Sequence, residues 1–176
     1  MGVVSLWRRL FSRSRPRLIA DFGELAGECE VGGLIDVAGE IEAIDTIVDP
    51  IAGEECVAME YRAWPQSTTA GIDGASPSHS RAFQLTCHHA ADFVLRRAGK
   101  RLLVRVDRGR DVASLHQELL GRYGLGLRSE IRRLHDGDQV RVIGPIERLG
   151  GAGSPLRADP YLAIVVAQRL WPLVED

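Results

Sequence analysis

The residues of this 176-residue chain that could do chemistry are few and scattered. Cys87-His88-His89 is the strongest metal candidate. In an extended segment Cys87 and His89 would share one face, and a thiolate with an imidazole is a soft donor pair. A real site needs three or four ligands, which zinc modules supply as close-spaced Cys/His pairs. Here the others would have to come from His79 or His135, so the expectation is a solvated strand end and no bound metal. Cys56 with a histidine would make a nucleophile pair. Cys56 instead opens an alternating apolar run, where a cysteine packs as a small hydrophobe. Asp136-Gly137-Asp138 is turn chemistry rather than an acid pair. Gly150-Gly151-Ala152-Gly153-Ser154 lacks the Lys and Ser/Thr of a phosphate-cradling loop and opens no helix. No catalytic set and no cofactor motif emerge, so a non-enzymatic role without a cofactor is expected.

Binding surfaces come next. Tyr61, Arg62 and Trp64 offer the aromatic and guanidinium surface on which single-stranded nucleic acid stacks. Strand alternation turns Tyr61 inward and leaves Arg62 and Trp64 as the possible ligand surface. Charge disfavours nucleic acid. The chain has 22 basic and 24 acidic residues, and five of the arginines lie in residues 1–17, which hold no acid. The remainder carries 17 basic residues against 24 acidic ones, a net −7 that repels phosphate. The arm alone suits an anionic partner. Within it Val3, Leu6, Trp7, Leu10 and Phe11 recur at helical spacing, with Arg8 and Arg9 on the other side. Such an amphipathic helix can dock on its own domain. Equally, it can lie on an anionic membrane surface with Trp7, Leu10 and Phe11 inserted and Arg8 and Arg9 among the headgroups.

Composition bounds the class. Hydrophobic residues are 45% and charged residues 26%, ordinary globular values for one domain plus tails. Cys29, Cys56 and Cys87 are too far apart for a disulfide framework or a zinc finger, which points to a reducing compartment. No run of about 18 or more apolar residues exists to span a membrane. Arg8 and Arg9 fall where a signal peptide would be apolar. The expected location is the cytoplasm, peripheral at the inner face of the membrane if the arm binds lipid; the expected partner is another protein.

The elements that must position these residues follow from periodicity. Residues 1–17 form the basic arm, 18–34 a connecting segment, and 35–176 the domain. Ile35, Val37, Gly39, Ile41 and Ala43 alternate with acids, as do Val57, Met59, Tyr61 and Ala63 with Glu60 and Arg62; both read as half-buried strands. Asp49-Pro50…Gly53 reads as the turn that ties Ile35–Val48 to Cys56–Trp64 in a first hairpin. Pro65–Ser80 reads as a surface loop. Arg81–Cys87, Ala91–Leu95 and Arg101–Val106 read as short strands. Asp111–Tyr123 predicts a helix with Asp111 as N-cap, a stripe of Val112, Leu115, Leu119 and Leu120, and Gly124 as the stop. Then come a turn at His135–Asp138, a strand at Gln139–Leu149, a loop at Gly150–Pro160, and a closing strand at Tyr161–Leu170. The sum is a mainly β fold: a small antiparallel OB-like barrel with one helix at about 111–123 and an N-terminal amphipathic helix.

Three ordered blocks resemble the GIDE-type domain family, named for a mitochondrial membrane ubiquitin ligase and found also in bacteria. Gly39, Asp49-Pro50, Gly53, Cys56, Tyr61 and Arg62 are similar to its first block. Phe93-Val94-Leu95, Gly99 and Leu103-Val104-Arg105-Val106 are similar to its second. Gly137-Asp138-Gln139-Val140-Arg141-Val142-Ile143-Gly144 is similar to its third. The likeness covers about Ile35 to Leu170 and implies a binding or scaffold module. Family members commonly carry flanking transmembrane helices, and the eukaryotic ligases a RING. A RING needs eight Cys/His ligands in close-spaced pairs, which this sequence lacks, so ligase activity is not implied.

Overall fold

The structure, a computed structural model, describes residues 15–25, 29–65, 85–107, 111–150 and 160–172. In chain order its strands are β1 (Arg17–Ile19), β2 (Leu34–Ala43), β3 (Ile47–Val48), β4 (Glu55–Cys56), β5 (Ala58–Pro65), β6 (Leu85–Ala90), β7 (Phe93–Arg97) and β8 (Lys100–Val106). The helix α1 (Val112–Tyr123) follows, then β9 (Leu127–Leu134), β10 (Gln139–Leu149), β11 (Ala163–Ala167) and β12 (Arg169–Pro172). These fall into two compact units. One comprises Met1–Glu42, Phe93–Val106 and Gly137–Asp176; the other comprises Ala43–Asp92 and Asp107–Asp136.

The first unit is a closed five-stranded barrel. β2 neighbours β7, β7 pairs antiparallel with β8, and β8 pairs parallel with β11. β11 pairs antiparallel with β10, which returns antiparallel to β2. Counted along the chain the ring runs first, second, third, fifth, fourth, a Greek-key closure of the OB type that leaves no free edge within the ring. The cross-strand pairs Val37–Val142, Phe93–Val104, Leu95–Leu102 and Ile146–Val165 are all buried, so one face of each strand fills the interior. Two glycines permit the tight curvature. A Cβ on Gly39 would lie 2.6 Å from the Arg96 carbonyl oxygen, and one on Gly144 would lie 2.0 Å from that of Val166. On the outside of the closing seam, the Asp36 carboxylate accepts two hydrogen bonds from Arg141, at 2.7 and 2.6 Å.

The second unit is a three-stranded antiparallel sheet in the order β6-β5-β9, with α1 packed on one face and the β3–β4 hairpin beside it. Its core joins Met59, Tyr61 and Ala63 of β5 to Val112, Leu115 and Leu119 of α1. Asp111 caps α1 by accepting from the backbone N–H groups of Ala113 (3.1 Å) and Ser114 (3.2 Å). Along the chain this unit is made from two insertions, one between the first and second barrel strands and one between the third and fourth.

The mainly β class, the closed OB-like barrel and the helix are as expected, α1 being the one α-helix among the described residues. The expected first hairpin is not. Only Ile47–Cys56 and Val48–Glu55 pair across the Asp49-Pro50 turn. β2 belongs to the barrel and β5 lies between β6 and β9. Alternation shows that a strand has a buried face; it does not show which strand completes its hydrogen bonds. The closing strand is broken at Gln168, whose N–H donates to the Ile143 carbonyl (2.8 Å) between β11 and β12. β1 and β9 were not foreseen. Trp7, Arg8, Arg9, Leu10 and Phe11, where an N-terminal helix is expected, lie outside the described residues, as does most of Pro65–Ser80, where a loop is expected. Among the described residues no helix is long and apolar enough to cross a membrane.

Candidate functional site

On the barrel, the β7–β8 hairpin leaves the core after Leu95 and turns through Ala98 and Gly99, both at positive φ (49° and 74°). Here the strands expose charge. A groove of about 560 Å³ lies between Glu40 and Glu42 of β2, Arg96 and Arg97 of β7, and Arg101 of β8. Arg96 reaches Glu40 at 2.5 Å and Glu42 at 3.6 Å; Arg101 pairs with Glu42 and lies over the Tyr161 ring at 5.5 Å. Lys100 donates to Asp21 at 2.7 Å, and that hydrogen bond, with the backbone N–H of Gly23, holds the exposed Asp21 carboxyl below its usual range. Further along β8, Arg105 meets Glu147 at 2.9 Å. Arg97 donates to the Ala38 carbonyl at 3.4 Å. Exposed ion pairs of this kind are screened by solvent and contribute little, so a partner's charges can exchange with them at little cost. The groove is lined by carboxylates and guanidinium groups, so charge recognition is what its side chains are suited to.

In the second unit the structure brings Arg62 and Trp64 together on the outer face of β5. Their cross-strand partners on β9 are Glu130 and Arg128, and Glu60 faces Arg132. Arg62 Nε also pairs with Glu60, and Trp64 is 37% exposed. This face is a lattice of alternating charge with one indole at its end.

The inner face holds what sequence reasoning missed. Tyr61 is fully buried, and its hydroxyl lies 2.9 Å from Nδ1 of His116 on α1. Burial pushes the Tyr61 hydroxyl pKa up, and the neighbouring Cys87 adds to the shift. His116 looks like one more polar residue of a helix. Its place four residues after Val112 and three before Leu119, on the apolar stripe, is the only sequence signal that could have found it.

The reactive-looking residues lie in packed or hydrogen-bonded surroundings. Cys56 is buried, and desolvation together with the Asp49 charge pushes its thiol up, away from the nucleophilic form. It packs in the sheet–helix core of the second unit rather than in the barrel interior. Cys87 and His89 do share a face of β6, opposite Tyr61 and Met59 of β5, and Cys87 packs against the same core. Among the described residues no three His, Cys, Asp or Glu side chains are grouped to hold a metal ion. Asp49 is fully buried. Its carboxylate accepts from the backbone N–H of Ile51 (2.6 Å) and Ala52 (3.2 Å), and from both Nε and Nη2 of Arg133. Burial alone would raise this carboxyl; the hydrogen bonds from Ile51, Arg133 and Ala52 outweigh it and hold the group below its usual value.

The fold and these surfaces define an OB-like barrel with an inserted sheet–helix unit. No protein-family model matches the chain, and no curated protein matches it.

Proposed function

We propose that this chain is a non-enzymatic binding or scaffold module of the GIDE type, which holds a protein partner in the mixed-charge groove of its barrel. OB-like barrels carry ligands on the face of their second and third strands. In this ring those strands are β7 and β8, which form the groove. The observation that carries the reading is that Arg96, Lys100, Arg101 and Arg105 each already lie on a carboxylate. A phosphate chain would have to displace several carboxylates at once and remain beside them, whereas a polypeptide offers both signs. The arm at residues 1–17 adds weak attachment to an anionic membrane surface at the inner face, about 1 kcal/mol per arginine before screening. Affinity capture of the full chain and of its Arg96→Glu/Arg97→Glu variant tests the groove. The same protein should copurify with the first and be lost with the second; equal recovery from both refutes it.

A second reading, single-stranded nucleic-acid binding, is favoured by the gathering of five cations on one hairpin, Arg96, Arg97, Lys100, Arg101 and Arg105. Fluorescence anisotropy with a short single strand at low salt decides it. Saturable binding that falls with salt would support it; a flat titration removes it.

A further inference from the structure

Strand β9 is paired with β5 over its whole length, Leu127 to Leu134, and no described strand lies along its other edge. An eight-residue strand with one such edge is a template for another strand. Many edges are protected by charge of one sign or by proline. The middle of β9 instead reads Glu130-Ile131-Arg132, with the two charged residues exposed on the outer face and Ile131 half-buried on the helix side.

We infer that β9 is the seam of a two-fold dimer, pairing antiparallel with β9 of a second copy about Ile131. Opposed residues in a ladder must share a face, so the two-fold axis passes through a residue and not between two. An axis at Glu130 sets that carboxylate against itself and Arg128 against Arg132. An axis at Arg132 sets guanidinium against guanidinium. An axis at Ser129 keeps fewer strand residues in register. An axis at Ile131 sets Glu130 opposite Arg132 twice by symmetry and Ile131 opposite its own counterpart, a β-branched pair that extends the half-buried helix-side surface. Within one chain Glu130 and Arg132 already meet at 3.3 Å, so the seam closes a ring of four alternating charges. This self-complementarity is what makes the partner a second copy: an isologous interface requires one patch to match itself. The sheet becomes six-stranded, a usual size.

Sedimentation of the full chain at increasing concentration should show a species of twice the 19.3 kDa chain mass. Glu130→Arg alone and Arg132→Glu alone should each be monomeric, and their equimolar mixture should recover the dimer. Under mild oxidation Ile131→Cys should form an intermolecular disulfide that the natural sequence does not, because facing Cα atoms in a ladder lie about 4.5–5.5 Å apart, within disulfide reach. Circular dichroism establishes that each variant is folded; if the charge variants are not, the Ile131→Cys cross-link decides. A chain monomeric at all concentrations, dimeric single-charge variants, or an uncross-linked Ile131→Cys would overturn the seam and assign the alternating charges to edge protection.

Discussion

Tyr61 and His116 meet edge to face inside the second unit, their rings 83° apart and the phenolic oxygen 2.9 Å from the imidazole Nδ1. It is a polar contact between β5 and α1 beside a core of side chains such as Met59, Leu115 and Leu119. Because both partners are buried, its main energetic consequence is what its loss would leave unsatisfied.

Tyr61→Phe should therefore destabilise the chain by about 1–2 kcal/mol, read as a lower denaturation midpoint with an unchanged slope. His116→Phe in the same background should recover part of the loss, since removing both polar partners leaves no orphan. Tyr61 also sets an alkaline limit. Its folded pKa is raised by burial, so the unfolded chain ionises first. Stability is complete below the unfolded tyrosine value and falls as pH rises through it towards the folded value; Tyr61→Phe should flatten that decline. An unaltered midpoint, or an unaltered alkaline decline, would count against the pair.

Asp49 sets the acid limit of the same unit. Its folded carboxyl lies below the usual range, so its contribution is present above the unfolded value and lost as pH falls through the folded one. Asp49→Asn should cost about 2 kcal/mol or more at neutral pH, because hydrogen bonds to a charged buried group are the stronger kind. The difference between variant and natural chain should shrink in acid. A constant difference across the titration would contradict this account of the turn.

Gly144 tests the barrel. Its missing Cβ faces the Val166 carbonyl oxygen, a backbone atom that cannot move aside without shifting β11. Gly144→Ala should destabilise by about 1–3 kcal/mol. Gly121→Ala, in open space on α1, should be neutral or stabilising by comparison. Equal effects at the two sites would mean that the ring is not closed tightly there.

The sequence carried the elements better than their partners. Val37 and Ile41 mark β2, Leu102 and Val104 mark β8, and Val140 and Val142 mark β10, because a half-buried strand must alternate. Asp111 and the stripe from Val112 mark α1 for the same kind of local reason. Pairing is not local: β2 closes on β10 about a hundred residues away, so the turn at Asp49-Pro50 misled about its neighbour. β9 was passed over because three of its eight residues are arginines and it shows apolar residues only at Leu127, Ile131 and Leu134. The groove was hidden likewise. Arg96, Arg97 and Arg101 look like ordinary surface charge until the β7–β8 turn sets them beside Glu40 and Glu42.

Flotation with vesicles containing anionic lipid checks the arm. The full chain should float at low salt and release as salt screens the arginines. A chain lacking residues 1–16, which keeps β1 whole, should remain in the soluble fraction. Undiminished flotation of the shortened chain would refute the membrane role of Trp7, Leu10 and Phe11.

The claim that the barrel groove holds a polypeptide is tested most directly by placing a photo-reactive amino acid at Arg97, in the full chain, in the cells that make it. A control at Leu125, fully exposed in the second unit, reports random encounters. The expected result is a discrete protein adduct from position 97 that is absent from position 125. A nucleic-acid adduct from position 97, or the same adducts from both positions, would contradict the account.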